Sequence, residues 1–166
     1  PEWEIAALRS YLRLRERHLD YAAAHIQHMQ KALTHMNLQL QHVVSDISGA
    51  TGMRIIRAIV AGERNATMLA AMRDLRCQSS VETIQRALVG NYQPEHVFAL
   101  SQALAMYDAY QAQISLCDEQ IARSLQQLSR GKPRPSEALP KPRHRTRQPN
   151  ALNFDVRTLL YQLVGI

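Results

Sequence analysis

Cysteine, glycine, proline and aromatic residues are all scarce in this chain. Two cysteines in 166 residues, Cys77 and Cys117, stand 40 positions apart with no CxxC or Cys/His ligand spacing. That argues against a zinc site or a disulfide scaffold, and a reducing, cytoplasmic (bacterial) setting is the expectation. No apolar run approaches the roughly 18 residues that a membrane span requires, and mean hydropathy is −0.30, so no membrane partner is expected. No secretory signal is seen either. Six glycines and seven prolines bound the chain to one globular domain with a tail. One Trp, six Tyr and two Phe are too few for a base-stacking platform, so Tyr107 and Tyr110 read as packing residues. The first residue is Pro1, not Met, and we expect a piece of a longer protein.

Charge is abundant but concentrated. Residues 130 to 149 hold Arg130, Lys132, Arg134, Lys141, Arg143, Arg145 and Arg147 against the single acid Glu137, which equals the whole net charge of +6. The remaining thirteen bases and thirteen acids cancel. The same stretch carries five of the seven prolines. With fixed φ angles, missing donors and little apolar surface to offset ordering, it reads as an extended basic linker. It is either a solubilising connector or a tether along a nucleic-acid backbone.

The first fifty residues have a helical period. Ile5, Leu8, Leu12, Leu19, Ala22, Ile26, Met29, Leu33, Met36, Leu40, Val43 and Ile47 recur at spacings of three and four, with Arg15 the one polar seam position. That is a heptad stripe. With no Gly or Pro from 2 to 48 and Gly49 as the stop, the pattern predicts one helix of about 60 Å at 1.5 Å per residue. His18, His25, His28, His35 and His42 ride on it; only His25 and His28 have a ligand-like spacing, and the set reads as a solvated polar face, not a metal site. Arg9, Arg13 and Arg17 form a basic stripe that is either ordinary surface charge, partly paired with Glu16 and Asp20, or a phosphate contact.

The middle is short-helical. Gly49 and Gly52 bracket a reversal with Thr51 as a cap, followed by a helix through Met53, Ile56, Ile59 and Val60 that stops at Gly62. Two more short helices are expected at 66–75 and 81–89, ended by Gly90. From Gln93-Pro94-Glu95 a second long helix runs through Leu100, Leu104, Tyr107, Tyr110, Ile114, Cys117, Ile121, Leu125 and Leu128. After the linker, residues 150–166 start another helix. The fold class is therefore all-α: two long antiparallel coiled-coil helices over 1–129 with a small helical cap between them, the basic linker 130–149, and a terminal short helix in 150–166.

No catalytic centre is found. There is no GxSxG, no supported Cys/His pair, no HExxH, and no phosphate loop around Gly49 and Gly52. Asp46, Glu63 and Asp74 sit at helix ends, where capping and dipole roles account for them.

Residues 46 to 64, with Ser45 before them, read SDISGATGMRIIRAIVAGER. This stretch resembles the central segment of the DEDD-type insertion-sequence transposases, the bridge-RNA-guided recombinases. Pro1-Glu2 with Glu4-Ile5-Ala6-Ala7-Leu8-Arg9 resembles the family's entry into its coiled coil, and Met36-Asn37-Leu38-Gln39-Leu40 its continuation. Ala87-Leu88-Val89-Gly90 and His96-Val97-Phe98-Ala99-Leu100 are similar to the stretch before the second long helix, and Asn153-Phe154-Asp155-Val156 with 159–166 to the opening of the C-terminal transposase domain. The resemblance implies a RuvC-like domain with magnesium-binding carboxylates before residue 1 and a serine nucleophile after Ile166. It places no catalytic residue and no cofactor in this segment. What it implies here is a role in DNA transposition: assembly of a homo-oligomer through the coiled coil, and contacts to DNA and structured guide RNA. Candidate contacts are Arg9, Arg13, Arg17, Arg54, Arg57, Lys132, Arg134, Lys141, Arg143, Arg145 and Arg147. The alternative is a coiled-coil dimerisation module without a nucleic-acid role.

Overall fold

A computed structural model describes residues 2–141, 148 and 150–165. The chain is all-helical among these residues, in the order α1 (Glu2–His35), α2 (Leu40–Val43), α3 (Ala50–Val60), α4 (Ala66–Ala70), α5 (Val81–Ala87), α6 (Pro94–Leu128) and α7 (Val156–Val164). The two long helices α1 and α6 pack as an antiparallel pair. They run through two compact units: residues 21–109, and residues 1–20 with 110–166.

The unit 21–109 holds the densest core. Its half of the α1 stripe is sealed: Met29, Leu33 and Met36 have no exposed surface, nor have Ile55, Ile56 and Ile59 of α3 or Leu100 of α6. Helix α1 does not continue to residue 48. It stops at His35 because Asn37 takes a left-handed conformation, φ 54°, a geometry that Asn tolerates better than most side chains. Leu38 N–H donates to Leu33 O and Asn37 N–H to Thr34 O, both at 2.9 Å. This is a Schellman stop, and its two flanking leucines, Leu33 and Leu38, are both fully buried. The helix is therefore about 51 Å long at 1.5 Å per residue.

The stop is gripped from the other side. Gln39 N–H donates to Ala87 O and Asn91 N–H to Met36 O. Gly90 lies so close that a Cβ there would come within 2.3 Å of Met36 O. Gly52 has the same role for α3, where a Cβ would sit 2.2 Å from Ile47 O. Gly52 and Thr51 are thus inside α3, not in the turn before it, and Gly49 is the N-cap residue. Thr51 does not cap α3; its Oγ1 accepts from Asp74 N–H at 2.9 Å. Helix α4 ends at Ala70, short of residue 75, where Met72 and Arg73 N–H donate three residues back, to Leu69 O and Ala70 O, in place of the four-residue helical bond. Helix α5 ends at Ala87, short of residue 89, because Leu88 has left helical geometry at φ −103°, ψ 9°. Asn65 caps α4 by accepting from Thr67 and Met68 N–H, and Ser80 caps α5 by accepting from Thr83 N–H.

The other unit is leaner. Ile114, Cys117, Ile121 and Leu125 of α6 are buried, but on α1 the stripe members Ile5 and Leu12 are exposed, as are Trp3 and Leu14. Helix α7 begins at Val156, not at 150: Asp155 caps it, accepting from Arg157 N–H and Thr158 Oγ1. It ends at Gly165, φ 72°, whose N–H donates to Tyr161 O.

Candidate functional site

The candidate contact residues fall into separate places. Arg9, Arg13 and Arg17 recur every four residues along α1, all exposed. None of the three forms an ion pair among the described residues, Glu16 and Asp20 included. They are solvated guanidinium groups spaced about 6 Å apart along the axis, at 1.5 Å per residue.

Arg54 and Arg57 lie on α3, in the other unit, and both are engaged. Arg57 makes a two-pronged bond to Asp108, Nη1 to Oδ2 and Nη2 to Oδ1, both 2.7 Å. The paired guanidinium draws the Asp108 carboxyl below its ordinary range through that hydrogen bond, against a smaller opposing effect of burial. Arg54 donates to Met72 O at 3.5 Å and lies 3.8 Å from Asp74 Oδ2. A phosphate would have to compete with Asp108 for Arg57, which makes Arg57 a weaker candidate than the α1 stripe.

Of the tail residues, Lys132 Nζ donates to Leu163 O at 2.9 Å, while Arg134 and Lys141 are exposed. Arg143, Arg145 and Arg147 lie outside the described residues.

The polar seam residue Arg15 has a partner that sequence reading missed. Its Nε donates to Asp118 Oδ1, and both side chains are buried. Arg15 Nη2 also donates to Asn150 O and Ala151 O, each at 3.0 Å, and Asn153 N–H donates to Asp118 Oδ2 at 3.1 Å. Three hydrogen bonds from this buried charge pair thus hold residues 150–153 against the helical pair. The signal was in the register: Asp118 stands four residues after Ile114 and three before Ile121, both buried seam residues, so an acid stood on the packed face as Arg15 did. Cys117 beside it is buried, and desolvation pushes its thiol above the ordinary range.

The histidines are less uniform than a solvated face. His28, His35 and His42 are exposed, whereas His18 and His25 are half-buried. The His18 ring stands 5.8 Å from that of Tyr110. Within the unit 21–109, His25, His28, Lys31 and His35 of α1 and His96 of α6 line a groove of about 380 Å³. His96 was not singled out from sequence, since only the antiparallel pairing brings it to His35, with ring centroids 4.9 Å apart at 85°. His25 and His28 are 5.4 Å apart. Burial, and then the neighbouring His28, lower the His25 pKa. Among the described residues no cluster of three or more His, Cys, Asp or Glu could hold a metal ion.

Asp46, Glu63 and Asp74 all serve turns. Asp46 accepts from Ser48 N–H and Oγ, Glu63 from Arg64 and Asn65 N–H, and Asp74 from Arg76 N–H and Nε. No helix among the described residues is long and apolar enough to cross a membrane. Comparison with family models, with curated proteins and with solved structures finds no match, so the transposase resemblance rests on the residues quoted above.

Proposed function

We propose that this chain is the connecting part of a DEDD-type transposase, serving DNA transposition by assembling a homo-oligomer and by holding DNA and structured guide RNA through their backbones. The observation that carries the reading is the convergence of its quoted segments. Met36, Leu38 and Leu40, then Ile47, Ile55, Ile56 and Ile59, then Leu88 and Leu100 all belong to one buried cluster. Four stretches that resemble one family in sequence therefore build one core, with Gly52 and Gly90 where an added Cβ would run into neighbouring backbone.

Nucleic-acid holding is assigned first to Arg9, Arg13 and Arg17, which are exposed and carry no ion pair among the described residues, with Lys132, Arg134, Lys141, Arg143, Arg145 and Arg147 as tether charges and Arg54 and Arg57 as secondary contacts. Such groups neutralise phosphates without reading base sequence. Magnesium belongs to the complete family protein, not to this segment. The test is binding of the purified chain to duplex DNA and to structured RNA at low salt, beside a version with the charges of 130–149 reversed. Binding that the reversal weakens supports the proposal; absence of binding to both ligands refutes its nucleic-acid half.

A second reading, a coiled-coil dimerisation module alone, is favoured by one observation. Trp3, Ile5 and Leu12 are 66%, 44% and 42% exposed, an unused apolar stretch on α1. Under that reading Ile5→Glu with Leu12→Glu abolishes dimers in sedimentation, and the chain has no affinity for nucleic acid.

A further inference from the structure

The histidine groove in the unit 21–109 is not used by the reading above, and its chemistry is unusual for a surface between two helices. Its floor is small and apolar: Ala32, Ala99 and Ala103, with Met106 at one end. Among the described residues its rim carries four imidazoles and the Lys31 ammonium, and no Asp or Glu lines it. At about 380 Å³ it falls in the size range of small-ligand sites, roughly 300–1,000 Å³.

These features select a ligand with two parts. An apolar floor beside imidazole rings, His35 and His96 being edge-to-face with each other, suits a flat aromatic body, because imidazole stacks on bases as other aromatic side chains do. A rim of cationic and protonatable groups without a carboxylate suits an anion. We propose that this groove binds a nucleotide, its base lying over the alanine floor against the His35 and His96 rings and its phosphate drawn to Lys31 and the His25–His28 end. The shared chemistry is a base with an attached phosphate, and it comes either from a free nucleotide or from an unpaired nucleotide of a strand. This goes beyond the proposed backbone grip, since none of the arginines assigned to that grip lines the groove.

Protonation follows from the same arrangement. The titratable and charged groups facing the ligand are His25, His28, Lys31 and His35 from α1 and His96 from α6. A phosphate bound at the His25–His28 end favours the protonated form of a neighbouring imidazole and so, by linkage, raises the lowered pKa of His25.

The experiment is a titration of the full chain followed by the carbon-bound ring protons of its histidines in NMR, with adenosine monophosphate, adenosine, inorganic phosphate, decanoate and a short single-stranded oligonucleotide. The expected result is saturable shifts at His25, His28, His35 and His96 with adenosine monophosphate, a rise in the His25 pKa when it is bound, and weaker responses to adenosine or phosphate alone. A tighter response to the oligonucleotide identifies the strand as the source; an equal or weaker one identifies the free nucleotide. Ala99→Leu, at an exposed position of α6, fills the floor without changing charge and removes the response. Lys31→Gln weakens it by about tenfold, the worth of one charge-assisted contact. Both variants are checked for unchanged helix content by circular dichroism. No shift with adenosine monophosphate, an equal response to phosphate alone, a tighter one to decanoate, or full binding by a folded Ala99→Leu chain would each overturn the proposal.

Discussion

The same heptad stripe runs the length of α1, yet its two ends are buried to very different degrees. In the unit 21–109, Met29, Leu33 and Met36 are sealed by short helices as well as by α6. In the unit containing residues 2–20, Ile5 and Leu12 occupy equivalent seam positions and remain exposed, and the seam's most enclosed α1 residue is Arg15. Periodicity thus states which face of a helix is apolar; how much of that face is dry depends on what else is folded over it. Where apolar cover is thin, this chain uses a buried charge pair with four hydrogen bonds, which fixes register and docks residues 150–153 at one point.

The contrast can be broken most severely at that pair. Asp118→Ala leaves the Arg15 guanidinium buried without its counter-charge and should cost about 3–5 kcal/mol in denaturant unfolding. Arg15→Leu with Asp118→Leu should recover most of that loss. The double variant removes the donors to Asn150 O and Ala151 O, however, so hydrogen exchange at Asn153 and along α7 should accelerate even in the recovered protein. Recovery with unchanged exchange would mean that 150–153 are held by something other than the pair.

A matched pair of truncations sharpens the comparison between the two ends. Ile56→Ala, in the sealed core, should destabilise by about 2–5 kcal/mol. Leu12→Ala, on the exposed stripe, should change stability by less than about 0.5 kcal/mol. Similar losses at both sites would show that the N-terminal stripe is covered in solution, as it would be in a dimer.

Smaller effects are expected at the α1 stop. Asn37→Ala places a β-carbon in a left-handed conformation without the local hydrogen bonding Asn offers, at a cost of roughly 1 kcal/mol; Asn37→Gly should be neutral or slightly stabilising. Thermal unfolding of the two variants separates them.

The smallest expected effect is at His25. Its folded pKa lies below the ordinary 6.5, so the unfolded chain takes up the proton first as pH falls. Stability is greatest above the unfolded value and declines below it. His25→Gln should flatten this part of the stability–pH profile.

Much of the architecture was legible in the sequence, because three-and-four spacing needs only residue type to be read. The two long helices, the short-helical middle and the turns at Gly62 and Gly90 follow from it. The end of α1 did not, because Asn37 in its left-handed state is made favourable by Leu38 docking into the core and by the 87–91 turn bonding to residues 36 and 39. Nor did Thr51, whose hydroxyl serves a loop 23 residues away. Candidate-site residues were legible singly but not in pairs. Arg57 looked available until Asp108 was placed against it, and His35 looked solitary until α6 brought His96 beside it. Arg15 and Asp118 lie 103 positions apart; only the shared seam register connects them.

The measurement that tests the central claim most directly is the salt dependence of nucleic-acid binding by the intact chain and by Arg9→Glu/Arg13→Glu/Arg17→Glu. The account predicts that log K falls linearly with log salt, and that the triple variant binds more weakly with a slope reduced by about 0.7–0.9 for each lost phosphate contact. Binding by the intact chain that is insensitive to salt, or a triple variant with the same affinity and slope, would contradict it.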